Sequence, residues 1–174
     1  MRIVLWGIAA IVFLLPLIAM QVTDEVEWGV GDFVVLGALL VSAGVTFELA
    51  VRRTGSKAYR AAAAVALAAA FLLVWLSLGV GIIGKDCDPS NGMYFGVLAV
   101  GIIGSMFARF RPRGMARALI AMALAQVVVA AIALVAGFGR ETANYPYDIL
   151  LLTAFFLVLW LISARLFRKA AEHK

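Results

Sequence analysis

The chain has 174 residues, 65% of them apolar and 14% charged, with a mean hydropathy of +1.05. An ordinary soluble domain is about 45–50% apolar and about 25% charged, so these proportions exclude a soluble enzyme, a disordered regulator and a nucleic-acid-binding module. The net charge of +5 and pI of 9.8 therefore need a source other than a nucleic-acid partner, and the placement of charge along the chain supplies one.

A helix needs about 20 mainly apolar residues to cross about 30 Å of hydrocarbon, and a helix satisfies its own backbone polar groups there. The first such stretch is Ile3 to Met20. Pro16 predicts a kink within it, and the lack of a small-x-small site before Gln21 favours a retained helix over a cleaved signal peptide. Thr23, Asp24 and Glu25 read as the cap and acidic first turn of a short interfacial helix.

The second span is expected over Asp32 to Val51. Asp32 either guards an outer vestibule or caps the helix at the positive end of its dipole. Glu48 is the one ionisable group with any depth in a span, which makes it a candidate proton- or cation-binding carboxylate. Arg52 follows four residues later, so a favourable Glu-to-Arg i,i+4 pair is the competing reading. Asp32 and Glu48 are 16 residues apart, about 160° around the helix axis, and no polar stripe joins them.

The third span is expected over Ala61 to Gly84 and the fourth over Met93 to Ala108. Asp88-Pro89 sets a capping carboxylate before a proline suited to the first helical position, and the fourth helix has room to extend back to Pro89. The fifth span runs from Met115 to Ala136 with Gln126 near its middle. That amide either contacts a polar substrate or hydrogen-bonds to a neighbouring helix. Asn144-Tyr145-Pro146 repeats the capping pattern before the sixth span, Asp148 to Ala164, and Asp148 carries the same two readings as Asp32. The hydroxyls of Ser42, Thr46, Ser77, Ser105 and Thr153 are expected to bond to backbone carbonyls.

Small residues predict where helices approach closely. The expected seams are Ala38/Ser42/Thr46, Ala62/Ala66/Ala70, Gly92/Gly96 and Ala121/Ala125. The sixth span is rich in Leu and Phe and lacks such a seam, so it is expected to face lipid or a partner.

Six spans put both termini on one side. Arg2, Arg52, Arg53, Lys57, Arg60, Arg109, Arg111, Arg113, Arg117, Arg165, Arg168, Lys169 and Lys174 then share that side, and only Lys85 and Arg140 lie opposite. The positive-inside rule makes the basic side cytoplasmic, where it would attract anionic lipid headgroups. Trp28, Tyr94, Tyr145 and Tyr147 are expected at the outer interface, and Trp6 and Tyr59 at the inner one. The fold class expected is therefore an all-α membrane protein: one domain, residues 1–174, of six transmembrane helices.

A threefold repeat is suggested by spacing. Arg2, Arg60 and Arg117 are 58 and 57 residues apart, and Asp32, Asn91 and Asp148 are 59 and 57 apart. Evenly spaced helices with similar loops produce such intervals without duplication, so both origins stay open. The string Val-Gly-Ile-Ile-Gly occurs at 80–84 and at 100–104, in spans running opposite ways, and reads as coincidence.

Catalytic and cofactor signatures are sparse. The one cysteine, Cys87, and the one histidine, His173, exclude a disulfide, a two-imidazole haem and a Ser-His-Asp triad within one chain. No phosphate-cradling loop, zinc-protease motif or nucleophile elbow occurs, and no metal or cofactor is expected.

The strings Asp24-Glu25-Val26-Glu27-Trp28, Gly31-Asp32-Phe33, Gly92-Met93-Tyr94-Phe95-Gly96-Val97-Leu98-Ala99-Val100-Gly101 and Ala108-Arg109-Phe110-Arg111-Pro112-Arg113-Gly114-Met115-Ala116-Arg117 are distinctive, and the resemblance they carry extends over most of the chain. On them the chain resembles small multi-span bacterial integral membrane proteins of unassigned function. That resemblance implies a bacterial inner-membrane location and carries over no catalytic or binding residue. The expected function is a non-enzymatic accessory, assembly or scaffold component, with a membrane-protein partner or a second copy of itself. The alternative is a small transporter, or its substrate-binding subunit, using Glu48, Gln126 and Asp32; a membrane enzyme ranks last.

Overall fold

The structure is a computed structural model that describes residues 2–22, 28–52, 56–84 and 88–172. The interfacial helix expected at Thr23 to Glu25 lies outside those residues, as do Arg53, Lys85, Cys87, His173 and Lys174. Among the described residues there are six α-helices: α1 Arg2–Val22, α2 Val30–Arg52, α3 Lys57–Gly79, α4 Met93–Phe107, α5 Pro112–Ala136 and α6 Tyr147–Glu172. A 3-10 turn, Pro89–Gly92, leads into α4. All six are long and apolar enough to cross a membrane, α4 when taken with its leading turn. The protein is an all-α, multi-pass membrane protein.

The chain packs as two units, Met1–Arg53 and Thr54–Lys174. In the first, α1 and α2 form an antiparallel hairpin built from aromatic rings on glycines. The Trp6 ring covers Gly44, where an added Cβ would lie 3.2 Å from it, and Phe13 covers Gly37 at 3.4 Å. The two contacts are seven residues apart on both helices, the interval that returns a helix to the same face. Phe13 also meets Phe33 edge-on at 5.7 Å. The expected Ala38/Ser42/Thr46 seam is not the one α1 uses: all three residues are exposed. The Ser42 and Thr46 hydroxyls donate back to the carbonyls of Ala38 and Ser42, as expected. A glycine admits a whole ring against the backbone, and that apolar area outweighs what three small side chains bury.

In the second unit α6 lies between α3 and α5, and α5 lies between α6 and α4. This corrects the placement of the sixth span. Its buried stripe runs through Ile149, Thr153, Phe156, Trp160, Ser163, Ala164, Phe167 and Ala170, so large side chains on α6 fill the space left by alanines on its neighbours. Ala62, Ala63 and Ala69 of α3 are buried, as are Ala116, Ala118, Ala123, Ala130 and Ala133 of α5. Close packing needs small residues on one partner only, so the absence of a small seam on α6 does not predict a lipid-facing helix. The Ser163 hydroxyl donates to the Ala62 carbonyl at 2.8 Å and pins α6 to α3.

The α4–α5 contact also departs from the expected seams. Gly92 and Gly96 face open space, and Ala121 is exposed. Gly101 and Gly104 make the close approach instead: a Cβ on Gly101 would collide with the Met122 side chain, and one on Gly104 would lie 2.8 Å from Ala118 Cβ. The second Val-Gly-Ile-Ile-Gly string is thus a packing surface.

The first copy of that string does something different. The third span ends at Gly79, short of the expected Gly84, and 80–84 is an irregular loop with Gly81 and Gly84 at φ of 77° and 75°. Hydropathy carries no sign of this break, which needs glycine's freedom at positive φ. Ile82 and Ile83 are buried, and Asn91 satisfies their backbone. Its Oδ1 accepts from the N–H groups of Ile82 and Ile83 at 2.8 and 2.9 Å, and its Nδ2 donates to the Ile83 carbonyl at 3.1 Å. Irregular backbone near hydrocarbon is tolerable only when its polar groups are met within the protein. The loop then packs on the α5–α6 connection so tightly that a Cβ on Gly139 would lie 2.7 Å from the Gly84 nitrogen. Asp88 caps the 3-10 turn as expected, accepting from Ser90 N–H at 2.8 Å.

Candidate functional site

Glu48 sits in the first unit, one turn before the end of α2. Its Oε2 takes Arg52 Nη2 at 3.2 Å, the expected i,i+4 pair, and its Oε1 accepts from the Trp6 indole N–H at 2.9 Å. The glutamate side chain is 17% exposed and the arginine 58%, so the ion pair stands at the rim of the hairpin and contributes less than about 1 kcal/mol. The Trp6 bond was not legible in the sequence, because it joins residues 42 apart through a register that Gly37 and Gly44 set. Both carboxylate oxygens are engaged in holding α1 to α2 and α2 to its own last turn.

Asp32 also has a structural task. Gly29 is the residue before α2, and the Asp32 carboxylate reaches back to its N–H at 2.8 Å while the Asp32 N–H donates to the Gly29 carbonyl. Asp32 is therefore the third-residue half of a capping box and not its first residue. Asp148 lies in the first turn of α6, where it suits the dipole. The Asn144 carbonyl accepts from the N–H groups of Tyr147 and Asp148 at that helix start. The structure does not bring Asp32 and Glu48 together, since they stand at opposite ends of α2.

The second unit holds a different group. Gln126 is fully buried, and among the described residues neither its Oε1 nor its Nε2 has a hydrogen-bond partner. The hydrogen bond to a neighbouring helix expected of it is not made. Tyr94, Thr153 and Trp160 are buried as well, with Tyr94 Oη, Thr153 Oγ1 and Trp160 Nε1 in the same condition. The Tyr94 and Thr153 side chains are neighbours across α4 and α6, yet their hydroxyls do not reach good hydrogen-bond geometry. A buried polar atom left unpaired costs about 1–3 kcal/mol, so five such atoms in one small core stand out against the alanine packing around them. Tyr59 and Tyr94 lie in the first turns of α3 and α4, the helix ends at which interfacial aromatics are expected, and both side chains are buried within the protein. Tyr59 lies edge-on to Phe167 at 4.9 Å and donates to the Phe110 carbonyl at 2.9 Å.

That last bond holds an unusual turn. Arg109 and Phe110 both adopt positive φ, 48° and 57°, a region costly for side chains of their size. The turn gathers the start of α3, the α4–α5 connection and the end of α6 at one end of the unit. Lys57, Arg60, Arg109, Arg111, Arg113, Arg117, Arg165, Arg168 and Lys169 stand there, and Asp88, Arg140, Glu141 and Asp148 stand at the other. Among the described residues no three His, Cys, Asp or Glu side chains gather in a way that would hold a metal ion.

Comparison of the chain with known proteins finds no matching family model, no matching curated protein and no matching solved structure.

Proposed function

We propose that this is a non-enzymatic component of the bacterial inner membrane, with both termini cytoplasmic, that serves as an accessory, assembly or scaffold subunit. The observation that carries the reading is the engagement of Glu48. The deepest carboxylate of the described helices bonds to Trp6 and Arg52, so the group best suited to move a proton or cation is occupied in fastening a hairpin. The basic end of the α3–α6 unit supports the orientation, because clustered Lys and Arg are retained on the cytoplasmic face and attract anionic lipid. Purification of the tagged chain in a mild detergent, followed by mass spectrometry, tests the role. A membrane partner at fixed stoichiometry, or a second copy of the chain, is the expected result; a lone monomer that moves a solute by itself overturns it.

A second reading, a small transporter, is favoured by one observation, the unpaired amide of Gln126 in the core of the second unit. It predicts solute flux that fails in Gln126→Leu, and on this reading Glu48 is dispensable.

A further inference from the structure

We propose that Tyr94, Gln126, Thr153 and Trp160 form a neutral binding site within the α4–α5–α6 core for a small uncharged molecule that both donates and accepts hydrogen bonds, either water or a simple amide. The site does not depend on the accessory role and uses none of the residues that fasten α1 to α2.

The helix register brings the four residues within about 11 Å of one another along the helix axes. On α5, Ala118 faces Gly104 and Met122 faces Gly101, which sets Tyr94 opposite residues 128 and 129, within about 5 Å of Gln126 along the axis. The α5–α6 connection joins Ala136 to Tyr147. From those ends Gln126 lies about 15 Å down α5, while Thr153 and Trp160 lie about 9 and about 20 Å down α6. Thr153 and Trp160 thus bracket Gln126, and Tyr94 closes the group from α4 beside Thr153.

Their chemistry defines the occupant. The indole N–H donates only, the two hydroxyls do either, and the amide offers two donors and a carbonyl acceptor. Each of the four side chains is more than nine-tenths buried, with exposures of 1% for Tyr94, 0% for Gln126, 7% for Thr153 and 0% for Trp160. No charged residue occurs on α4, and those of α5 and α6 stand toward the helix ends. An ion would find no countercharge here, whereas a neutral molecule with both donor and acceptor atoms would meet the unpaired groups.

Gln21 and Gln126 are the two glutamines of the chain, and Gln21 is exposed, so Gln21→Asn leaves one glutamine side-chain amide. The full chain carrying that change, labelled with 15N-glutamine and placed in lipid nanodiscs, reports directly on Gln126 by NMR. The amide protons are expected to cross-relax with water, or with acetamide when it is added, the first result identifying water as the occupant and the second the amide. In Gln126→Leu the water or acetamide contact of the Trp160 indole N–H should be lost while the fold persists. If the Gln126 amide protons contact protein protons alone, with or without acetamide, the proposal is overturned.

Discussion

Trp6 and Glu48 join α1 to α2 through a 2.9 Å hydrogen bond from the indole N–H to Oε1, while the other carboxylate oxygen holds Arg52. Membrane interhelical hydrogen bonds of this kind are modest one by one, so the bond should act as a register pin on a hairpin whose affinity comes from ring-on-glycine packing. A double-mutant cycle of Trp6→Phe and Glu48→Gln, read by unfolding in mixed micelles, should show a coupling of about 0.5–1.5 kcal/mol. Additive effects would mean that the two side chains stabilise the hairpin separately.

Glycines that carry helix contacts should be separable from those that do not. Gly104→Ala forces the new methyl against Ala118, a collision with no flexible side chain to absorb it, and should cost about 1–3 kcal/mol. Gly101→Ala meets Met122, whose chain can swing aside, and should cost less. Gly96→Ala meets open space and should be silent. Unfolding of the three variants side by side checks that order.

Asn91→Leu strands two N–H groups and one carbonyl of the Ile82–Ile83 loop and should lower stability by about 3 kcal/mol or more. Asn91→Asp keeps the acceptor and loses the donor, so its loss should be smaller. Hydrogen exchange should report the damage first at the Ile82 and Ile83 amides.

These cases also show what the sequence could and could not convey. Six spans were legible because every membrane helix must be long and apolar, a constraint written into each segment separately. The Glu48–Arg52 pair was legible because an i,i+4 relation lies within one helix. Contacts between helices were not: Ala38, Ser42 and Thr46 have the right composition for a seam, but Gly37 and Gly44 face α1, and composition does not say which face turns inward. Tyr94 resembled an interfacial aromatic because it begins α4, and nothing local reveals that the Val80–Gly84 loop and the 3-10 turn stand above that start. Gln126 was visible as a mid-span amide, whereas its lack of a hydrogen-bond partner among the described residues emerges only once α4 and α6 are packed against α5.

The proposed orientation is testable at the single cysteine. On the proposed topology Cys87, which falls between α3 and α4 in the sequence, is extracytoplasmic, so a membrane-impermeant maleimide should label it from outside intact inner-membrane spheroplasts. Labelling only after the membrane is opened would reverse the assigned topology. In a Cys87→Ser background, Ser56→Cys before α3 should behave in the opposite way.

The measurement that reaches the central claim most directly is proton and cation flux into proteoliposomes, with the wild-type chain and Glu48→Gln compared in parallel. If Glu48 fastens the α1–α2 hairpin and takes no part in a transport path, both proteins should match protein-free vesicles. Wild-type flux that collapses in a folded Glu48→Gln variant would contradict the account and make this carboxylate the centre of a transporter.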